Sequence, residues 1–116
     1  MAGRCPGQIN TTNFFGADLF GATLTTATSS NAIFSAADLR SANLSGADLT
    51  RANFVNSDFA HAGLTNANLT QANFGAADLS NASLLNSITN GANFSGATFT
   101  NTIMPDGSIR NFQRFK

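Results

Sequence analysis

The sequence predicts an all-β solenoid with a square cross-section, and three regularities predict it. Every fifth position from Ile9 to Ile109 belongs to an uninterrupted series of 21 sites, of which nineteen are Leu, Ile, Phe or Met. The residue two places before each of these centres is small, and it is Ala at fifteen of the seventeen sites from Ala17 to Ala97. Aromatic centres recur every 20 residues. They form the series Phe14, Phe34, Phe54, Phe74 and Phe94.

A five-residue period excludes the two common elements of secondary structure. In an α-helix each centre would lie about 140° further round than the last, at ~100° per residue, so the apolar sites would spiral around the axis. In a flat strand an odd spacing sends successive centres to opposite faces of the pleat. The backbone is therefore expected to turn once per five residues, with four turns to a coil and about five coils in all.

The repeats divide the chain into three parts. We expect an N-terminal cap over residues 1–8, a β-helix over residues 9–104 and a C-terminal turn and tail over residues 105–116. The Pro-Asp-Gly run that begins at Pro105 is a strong turn signal. The two ends of a stack of coils expose unpaired backbone and core, so both ends need covers.

Two aromatic residues in the tail are the candidates for covering the C-terminal end. Phe112 and Phe115 lie three positions apart beside Arg110, Arg114 and Lys116. Folding of these aromatic rings over the last coil is one interpretation. A homodimer contact through that end of the solenoid is the alternative. Three cations are too few for useful affinity to phosphates, so no direct nucleic-acid binding is expected.

Length, charge and composition indicate one domain and argue against membrane insertion. The chain has 116 residues, enough for one domain, and its 6 basic and 6 acidic side chains leave no net charge. No apolar run approaches the ~18 residues that a membrane span needs, so no membrane insertion is expected. The first ten residues lack the charged-then-apolar order of a secretory signal peptide. A soluble cytoplasmic protein is therefore the default expectation. A lumenal or periplasmic location stays open if a presequence was removed.

The repeat units resemble those of a known family. The units Ala37-Asp38-Leu39, Ala42-Asn43-Leu44, Ala47-Asp48-Leu49 and Ala52-Asn53-Phe54 are similar to the consensus A(D/N)LXX of pentapeptide-repeat proteins. The resemblance runs from about Gly7 to Ile109. It implies a right-handed quadrilateral β-helix in which the central Leu or Phe and the preceding small residue point inward, and parallel crossovers are right-handed in general. The family is abundant in cyanobacteria and also occurs in plastid lumens.

Two inward positions break the pattern. Ser29 and Thr89 stand where the other repeats have a large apolar centre, and a polar side chain there needs a hydrogen bond or a local bulge. Near the second site, Leu85 and Ile88 are available as substitutes for Thr89 in the core. We therefore expect the coil to distort at that corner.

One outward column is acidic. The residue just before the centre is Asp18, Asp38, Asp58 and Asp78 in successive coils. One interpretation is that each carboxylate bonds the local backbone at its turn. The other is an electronegative recognition stripe, because some relatives resemble double-stranded DNA and thereby act on DNA gyrase in quinolone resistance. No metal site is expected, since Ca²⁺ needs six or more converging oxygens and a straight wall does not converge.

A second outward group is apolar and is the candidate partner-binding surface. Phe15, Ile33 and Val55 are expected on the outer side of one face in three successive coils, with Phe20 one corner away. A contiguous apolar cluster marks docking sites on many proteins. The alternative is that these side chains pack beneath the N-terminal segment.

The inventory of reactive side chains predicts no enzyme. His61 is the single His, Glu is absent, and the single Cys, Cys5, lies in the expected cap, so no Cys/His pair or acid/base pair can be assembled. We predict no catalytic, cofactor-binding or metal-binding residue and no cofactor. The expected function is a rigid scaffold that binds another protein or has a structural role. The alternative is a DNA-mimicking modulator of DNA gyrase or topoisomerase.

Overall fold

The chain winds into a right-handed quadrilateral β-helix, which confirms the fold class that the sequence predicts. The computed structural model describes residues 10–25 and 27–111. Backbone pairs between successive coils are parallel and join residues twenty positions apart, such as Asn13 with Ile33 and Ile33 with Asn53. The pairs form four columns, so four pentapeptides make one coil. We number the faces by the first described residue of each column: Asn13 for face 1, Asp18 for face 2, Thr23 for face 3 and Thr28 for face 4.

Each pentapeptide closes with one tight turn. The N–H of the small inward residue donates to the carbonyl of the preceding centre, as from Ala17 to Phe14 at 2.9 Å. The third residue of that turn has a positive φ, 67° at Gly16 and 61° at Asn81, which fits a type II turn. Gly and Asn tolerate this left-handed region best, and they occupy eleven of the eighteen described corners.

Backbone groups outside the turns bond to the neighbouring coils. The N–H of Phe54 donates to Asn73 O at 2.7 Å, and the N–H of Asn53 donates to Ala32 O at 2.9 Å in the opposite direction. Each inner coil is therefore bonded both above and below. This repeated ladder satisfies the backbone without any long strand, and it makes the faces flat and rigid.

The core is a set of stacked columns. The rings of Phe14, Phe34, Phe54, Phe74 and Phe94 lie one above the next, with centroids 4.8 to 5.1 Å apart. This spacing is that of neighbouring β-strands, so the coil rise itself brings the rings into contact. Phe59 adds an edge contact to Phe54 at 4.9 Å. The Leu centres of the inner coils are fully buried beside them.

The two polar inward positions do not disturb the register, so the expected distortion at Thr89 is wrong. Ser29 is buried and its N–H still donates to Asp48 O at 2.8 Å. Leu85 and Ile88 do not replace Thr89 in the core, because their side chains are 36% and 50% exposed. The reason is that Ile88 keeps its parallel pair with Asn68, which directs its side chain outward.

The regular winding ends at Met104, where the chain reverses. The N–H of Met104 bonds Ser108 O at 2.8 Å and the N–H of Gly107 bonds Met104 O at 2.8 Å. Strand β1 (Thr102–Ile103) then pairs antiparallel with strand β2 (Ile109–Arg110). No helix occurs among residues 10–25 and 27–111.

Several sequence-based expectations lie outside the described residues. These are the N-terminal cap, which includes Cys5, and the tail aromatics Phe112 and Phe115. The total number of coils also stays a prediction, because Ile9 is outside the described residues as well.

Candidate binding surfaces

The outward Asp and Asn side chains bond their own turns. The Oδ1 of Asp18 accepts from the N–H of Phe20 at 3.1 Å, and the Oδ1 of Asp58 accepts from the N–H of Ala60 at 3.0 Å. Asn53 does the same for the N–H of Val55 at 3.0 Å. The carboxylates thus have a local structural role that an amide fills equally well.

The four carboxylates nevertheless form one straight column on face 2. Asp18 pairs with Asp38, Asp38 with Asp58, and Asp58 with Asp78 along the parallel ladder. The structure therefore brings together all four residues of the predicted acidic stripe. Among the described residues, no group of three or more His, Cys, Asp or Glu is placed to hold a metal ion.

A cation that sequence reasoning did not assign to the stripe lies within it. Arg40 donates from Nε and Nη2 to both oxygens of Asp38, at 2.9 and 2.8 Å, and its Nε lies 4.0 Å from Asp58 Oδ2. The hydrogen bond from Arg40 holds the pKa of Asp38 below its usual value. The sequence contained a signal for this contact: Arg40 stands two positions after Asp38, and a residue at that spacing lies on the same face as the Asp.

Arg40 also connects the acidic column to the predicted apolar surface. Its guanidinium lies over the ring of Phe20, one coil below, at 5.1 Å from the ring centroid. Face 2 near the N-terminal end therefore presents an aromatic ring, a cation and carboxylates in direct contact. Such a mixed surface differs from the uniformly acidic one that the stripe alone suggests.

The predicted apolar residues divide into two exposed rings and two half-buried side chains. Phe15 is 68% exposed at the corner between face 1 and face 2, and Phe20 is 48% exposed one corner further along, between face 2 and face 3. Ile33 and Val55 are half-buried on face 1 above Phe15. We call these four residues the corner surface. The structure thus places all four on two adjoining faces, with the aromatic rings as the protruding part.

A further exposed apolar group lies on the opposite side of the solenoid. Leu85 and Ile88 flank the corner between face 3 and face 4, and Ile109 is exposed on β2. The sequence pattern offers Leu85 and Ile88 as substitutes in the core and counts Ile109 among the inward apolar centres. The expectation for Ile109 is wrong, because the chain reverses after Met104 and Ile109 pairs antiparallel with Ile103. The signal for Leu85 and Ile88 was that they lie outside the five-residue register of apolar centres.

Other polar groups show local bonding and no converging site. The hydroxyl of Thr50 donates to Asp48 at 2.7 Å and holds the pKa of that carboxyl below its usual value. His61 is exposed at a corner with a φ of 65°. No cavity opens in the part of the chain that the structure describes. No helix formed by those residues is long and apolar enough to cross a bilayer.

The repeat geometry agrees with a family model. The model of pentapeptide repeats matches in eight copies, over residues 12–51, 37–75 and 77–111. The chain belongs to the pentapeptide-repeat family. The resemblance that the repeat units carry is thereby confirmed, and proteins of this family are generally non-enzymatic scaffolds.

Solved pentapeptide-repeat structures resemble this chain over most of its length. HetL, involved in heterocyst differentiation regulation in the cyanobacterium Nostoc sp. strain PCC 7120, has a TM-score of 0.62 and 28% identity, over 89% of this chain and 62% of HetL. Trypsin-treated QnrB1, a plasmid-mediated fluoroquinolone resistance protein, has a TM-score of 0.57 and 23% identity, over 90% of this chain and 73% of QnrB1. Rfr23 from the cyanobacterium Cyanothece 51142 has a TM-score of 0.44 and 26% identity, over 84% of this chain and 60% of Rfr23.

These pentapeptide-repeat neighbours have diverse functions and specify no role for this protein. The match spans less than two thirds of the length of HetL and of Rfr23. At 23% identity the likeness to QnrB1 shows the fold alone. No curated protein sequence matches this pentapeptide-repeat protein.

Proposed function

We propose that this pentapeptide-repeat protein is a non-enzymatic, rigid scaffold that binds another protein through the corner surface. The exposure of Phe15 and Phe20, at 68% and 48%, is the observation that supports this role most directly. Each ring that a partner covers completely would contribute about 1.5–3 kcal/mol from apolar burial. Exposed aromatic rings at two neighbouring corners of one coil are apolar surface of the kind that marks docking sites.

The surroundings of the rings support a specific contact. Ile33 and Val55 extend the apolar surface up face 1, and Arg40 with Asp38 borders it on face 2. An apolar centre with a charged rim is the usual anatomy of a protein interface. The coil-to-coil ladder holds the surface in one shape, so little conformational entropy is lost on binding.

The likeness to HetL supports a role that needs no catalysis. HetL is involved in the regulation of heterocyst differentiation and shares 28% identity with this chain. Among the residues that the structure describes here, no cavity opens and no metal-holding cluster forms, so the outer faces are the surfaces available for contact with other molecules. The partner of this chain is accordingly expected to be a protein.

Capture of proteins from a lysate of the source organism tests the proposal. The variant Phe15→Ser with Phe20→Ser is compared with wild type, and bound proteins are identified by mass spectrometry. The matched control is Leu85→Ser with Ile88→Ser, which removes two exposed apolar side chains on the opposite side. We expect a partner that wild type and control retain and the Phe variant loses, with unchanged circular dichroism. Equal recovery by all three proteins would refute binding at the corner surface.

Modulation of DNA gyrase by DNA mimicry is the second candidate function. The straight column of Asp18, Asp38, Asp58 and Asp78 favours it. Against it, Arg40 bonds Asp38 and lies close to Asp58, which reduces the negative charge at the centre of the column. The negative potential that such a mimic needs is therefore weak.

A supercoiling assay with purified gyrase tests this second candidate. A DNA mimic should inhibit supercoiling, and added salt should weaken the inhibition. The variant Asp58→Asn with Asp78→Asn should inhibit less than wild type. Because Asn73 bonds its turn in the same way as these Asp residues, the substitution leaves the fold intact. No inhibition by wild type at low salt would exclude the mimic.

A further inference from the structure

One Asn-Gly pair occurs in the sequence, Asn90-Gly91, and it forms the corner between face 4 and face 1 in the last coil. Asn is among the thermally labile side chains of proteins. Its conversion to aspartate is favoured where Gly follows, because a residue without Cβ does not hinder the attacking backbone nitrogen. Both residues of the pair are exposed. The N–H of Ala92 closes the turn on Thr89 O at 3.0 Å, and the φ of Gly91 is 71°.

The backbone of this pair is bonded on one side only. Asn90 O accepts from the N–H of Gln71, one coil below, at 2.8 Å. No described residue accepts from the N–H of Gly91, because the regular winding ends at Met104, before a further coil passes above this corner. The backbone nitrogen next to the labile side chain is therefore not held by the ladder.

An inner corner shows what the last coil lacks. At the turn of Ala60 and His61, Ala60 O accepts from the N–H of Ser41 at 3.0 Å, and the N–H of His61 donates to Ser80 O at 2.9 Å. Both sides of that peptide plane are thus bonded to neighbouring coils. The corner at Asn90 has one of these two hydrogen bonds.

Two Asn-Ser pairs elsewhere in the chain have the following nitrogen fixed. They are Asn56-Ser57 and Asn86-Ser87. In each pair the Ser N–H donates across its own turn, at 3.1 and 2.9 Å, and the Ser is buried. A nitrogen held and buried in this way is less able to lose its proton and to move than the exposed nitrogen of Gly91.

We propose that Asn90 and Gly91 form a site of spontaneous deamidation. The Gly91 nitrogen gives up its proton to solvent and forms a bond to Asn90 Cγ. The Cγ–Nδ2 bond breaks, and the side-chain nitrogen takes a proton from solvent and leaves as ammonia. Water then opens the five-membered imide at one carbonyl or the other, which yields aspartate or isoaspartate. Apart from water, the reaction needs no co-reactant.

The fold resists this reaction less at the last coil than at an inner one. Attack requires the peptide plane between Asn90 and Gly91 to rotate out of its type II position. Gly91 tolerates the rotation because it has no Cβ. The rotation breaks one hydrogen bond, from Gln71 to Asn90 O, whereas the same rotation at an inner corner breaks two.

Isoaspartate changes the corner itself. The main chain gains one carbon atom between Asn90 and Gly91, so the ring that the Ala92 N–H closes on Thr89 O becomes one atom larger. We expect a looser turn at this edge of the solenoid. The change is independent of partner binding at the corner surface, which lies near the other end.

Peptide mapping by mass spectrometry tests the reaction. The folded protein is kept in mildly alkaline buffer, digested, and assayed for isoaspartate with an isoaspartyl methyltransferase. We expect the mass gain of amide-to-acid conversion and the methyl label at Asn90 before any at Asn56 or Asn86. A folded chain that stays unmodified at Asn90, while the same chain in urea converts there, would overturn the proposal.

A second Asn-Gly pair at an inner corner is the matched control. Ala60→Asn with His61→Gly places the same two residue types where both backbone hydrogen bonds are present. In the folded variant, conversion at position 60 should be about fivefold slower than at Asn90, the effect of one additional hydrogen bond. In urea the two positions should convert at similar rates. Equal rates in the folded variant would refute the role of the missing bond.

Gly91→Ala tests which nitrogen attacks. Ala36 and Ala76 hold the equivalent corner position with φ values of 58° and 57°, so the turn accepts Ala. The added methyl group hinders both the attack and the rotation, and loss of ammonia from Asn90 should become several-fold slower. An unchanged rate would contradict attack by the Gly91 nitrogen.

Amide hydrogen exchange tests the loosening of the corner. In protein enriched in isoaspartate, the Ala92 amide should exchange about fivefold faster than in unmodified protein, the effect of weakening one hydrogen bond. Asn90→Asp with Gly91→Ala adds the carboxylate without the extra carbon, and its Ala92 amide should exchange as in Gly91→Ala alone. An Ala92 amide that exchanges equally fast before and after isoaspartate forms would overturn the loosening.

Discussion

Two buried serines that occupy equivalent sites have opposite expected effects when changed to Ala. Ser57 and Ser87 both stand at the small inward position, where fifteen of seventeen repeats from Ala17 to Ala97 have Ala, so a methyl group fits. The Oγ of Ser57 donates to Phe54 O at 2.6 Å, whereas the Oγ of Ser87 is buried without a hydrogen-bond partner. A buried hydroxyl without a partner costs about 1–3 kcal/mol, and a satisfied one contributes about 0.5–1.5 kcal/mol.

The magnitudes follow from these contacts. Ser87→Ala should raise the free energy of unfolding by about 1 kcal/mol, the low end of the range for a buried hydroxyl without a partner. Ser57→Ala should lower it by about 0.5–1 kcal/mol, since Phe54 O keeps its bond from the Ser57 N–H at 3.1 Å. The two variants should therefore differ by roughly 1.5–2 kcal/mol.

Urea unfolding followed by circular dichroism measures both effects. The midpoint should rise for Ser87→Ala and fall for Ser57→Ala, with the same dependence on urea as wild type. Shifts of the same sign in the two variants would refute the assignment of stability to the Ser57 hydroxyl bond. A loss of stability in Ser87→Ala would mean that the Ser87 hydroxyl has a stabilising partner.

Three further predictions concern the core, the acidic column and the corners. Phe54→Ala should lower the free energy of unfolding by about 3–5 kcal/mol, because it empties the middle of the ring stack, while Phe15→Ala should change it by under about 0.5 kcal/mol in the same urea experiment. Arg40→Gln should raise the pKa of Asp38, measured by NMR titration. The pKa of Asp38 is lowered in the folded state, so the stabilisation from this carboxylate is present above pH 3.8, the value in the unfolded chain. It is lost as the pH falls from 3.8 through the folded-state pKa. An Asp38 pKa that does not change in Arg40→Gln would contradict the Arg40 contact. Gly21→Ala places a Cβ at a φ of 68° with no neighbouring atom within 4 Å, so only backbone strain should act. The free energy of unfolding should fall by about 1–2 kcal/mol. An unchanged free energy of unfolding would argue against the left-handed corner.

The regularity of the repeat makes its exceptions informative. Most outward positions carry small polar residues, so the fold does not require an apolar residue outside the five-residue register. Phe15 and Phe20 are such exceptions, and both are exposed. Leu85 and Ile88 are also exceptions, and both are exposed although the sequence offers them as substitutes for Thr89 in the core. In a solenoid of this kind, departures on the outer faces are the places to look for binding.

The sequence alone determined the path of the backbone and the contents of the core. The spacing of the centres required one turn per five residues, and the 20-residue recurrence of Phe required four turns per coil. Parallel pairs at an offset of twenty positions confirm both inferences. The prediction succeeds because each repeat meets the same neighbours, so that a local pattern specifies the contacts between coils as well.

Only the tertiary structure decided how the outer faces combine. Arg40 contacts Asp58 and Phe20 because residues of successive coils become neighbours, and side-chain length and rotamer select among them. The reversal after Met104 likewise depends on antiparallel pairing that no repeat encodes. The core is determined by a period that the sequence displays directly, whereas the surface depends on single contacts between coils, which have no period.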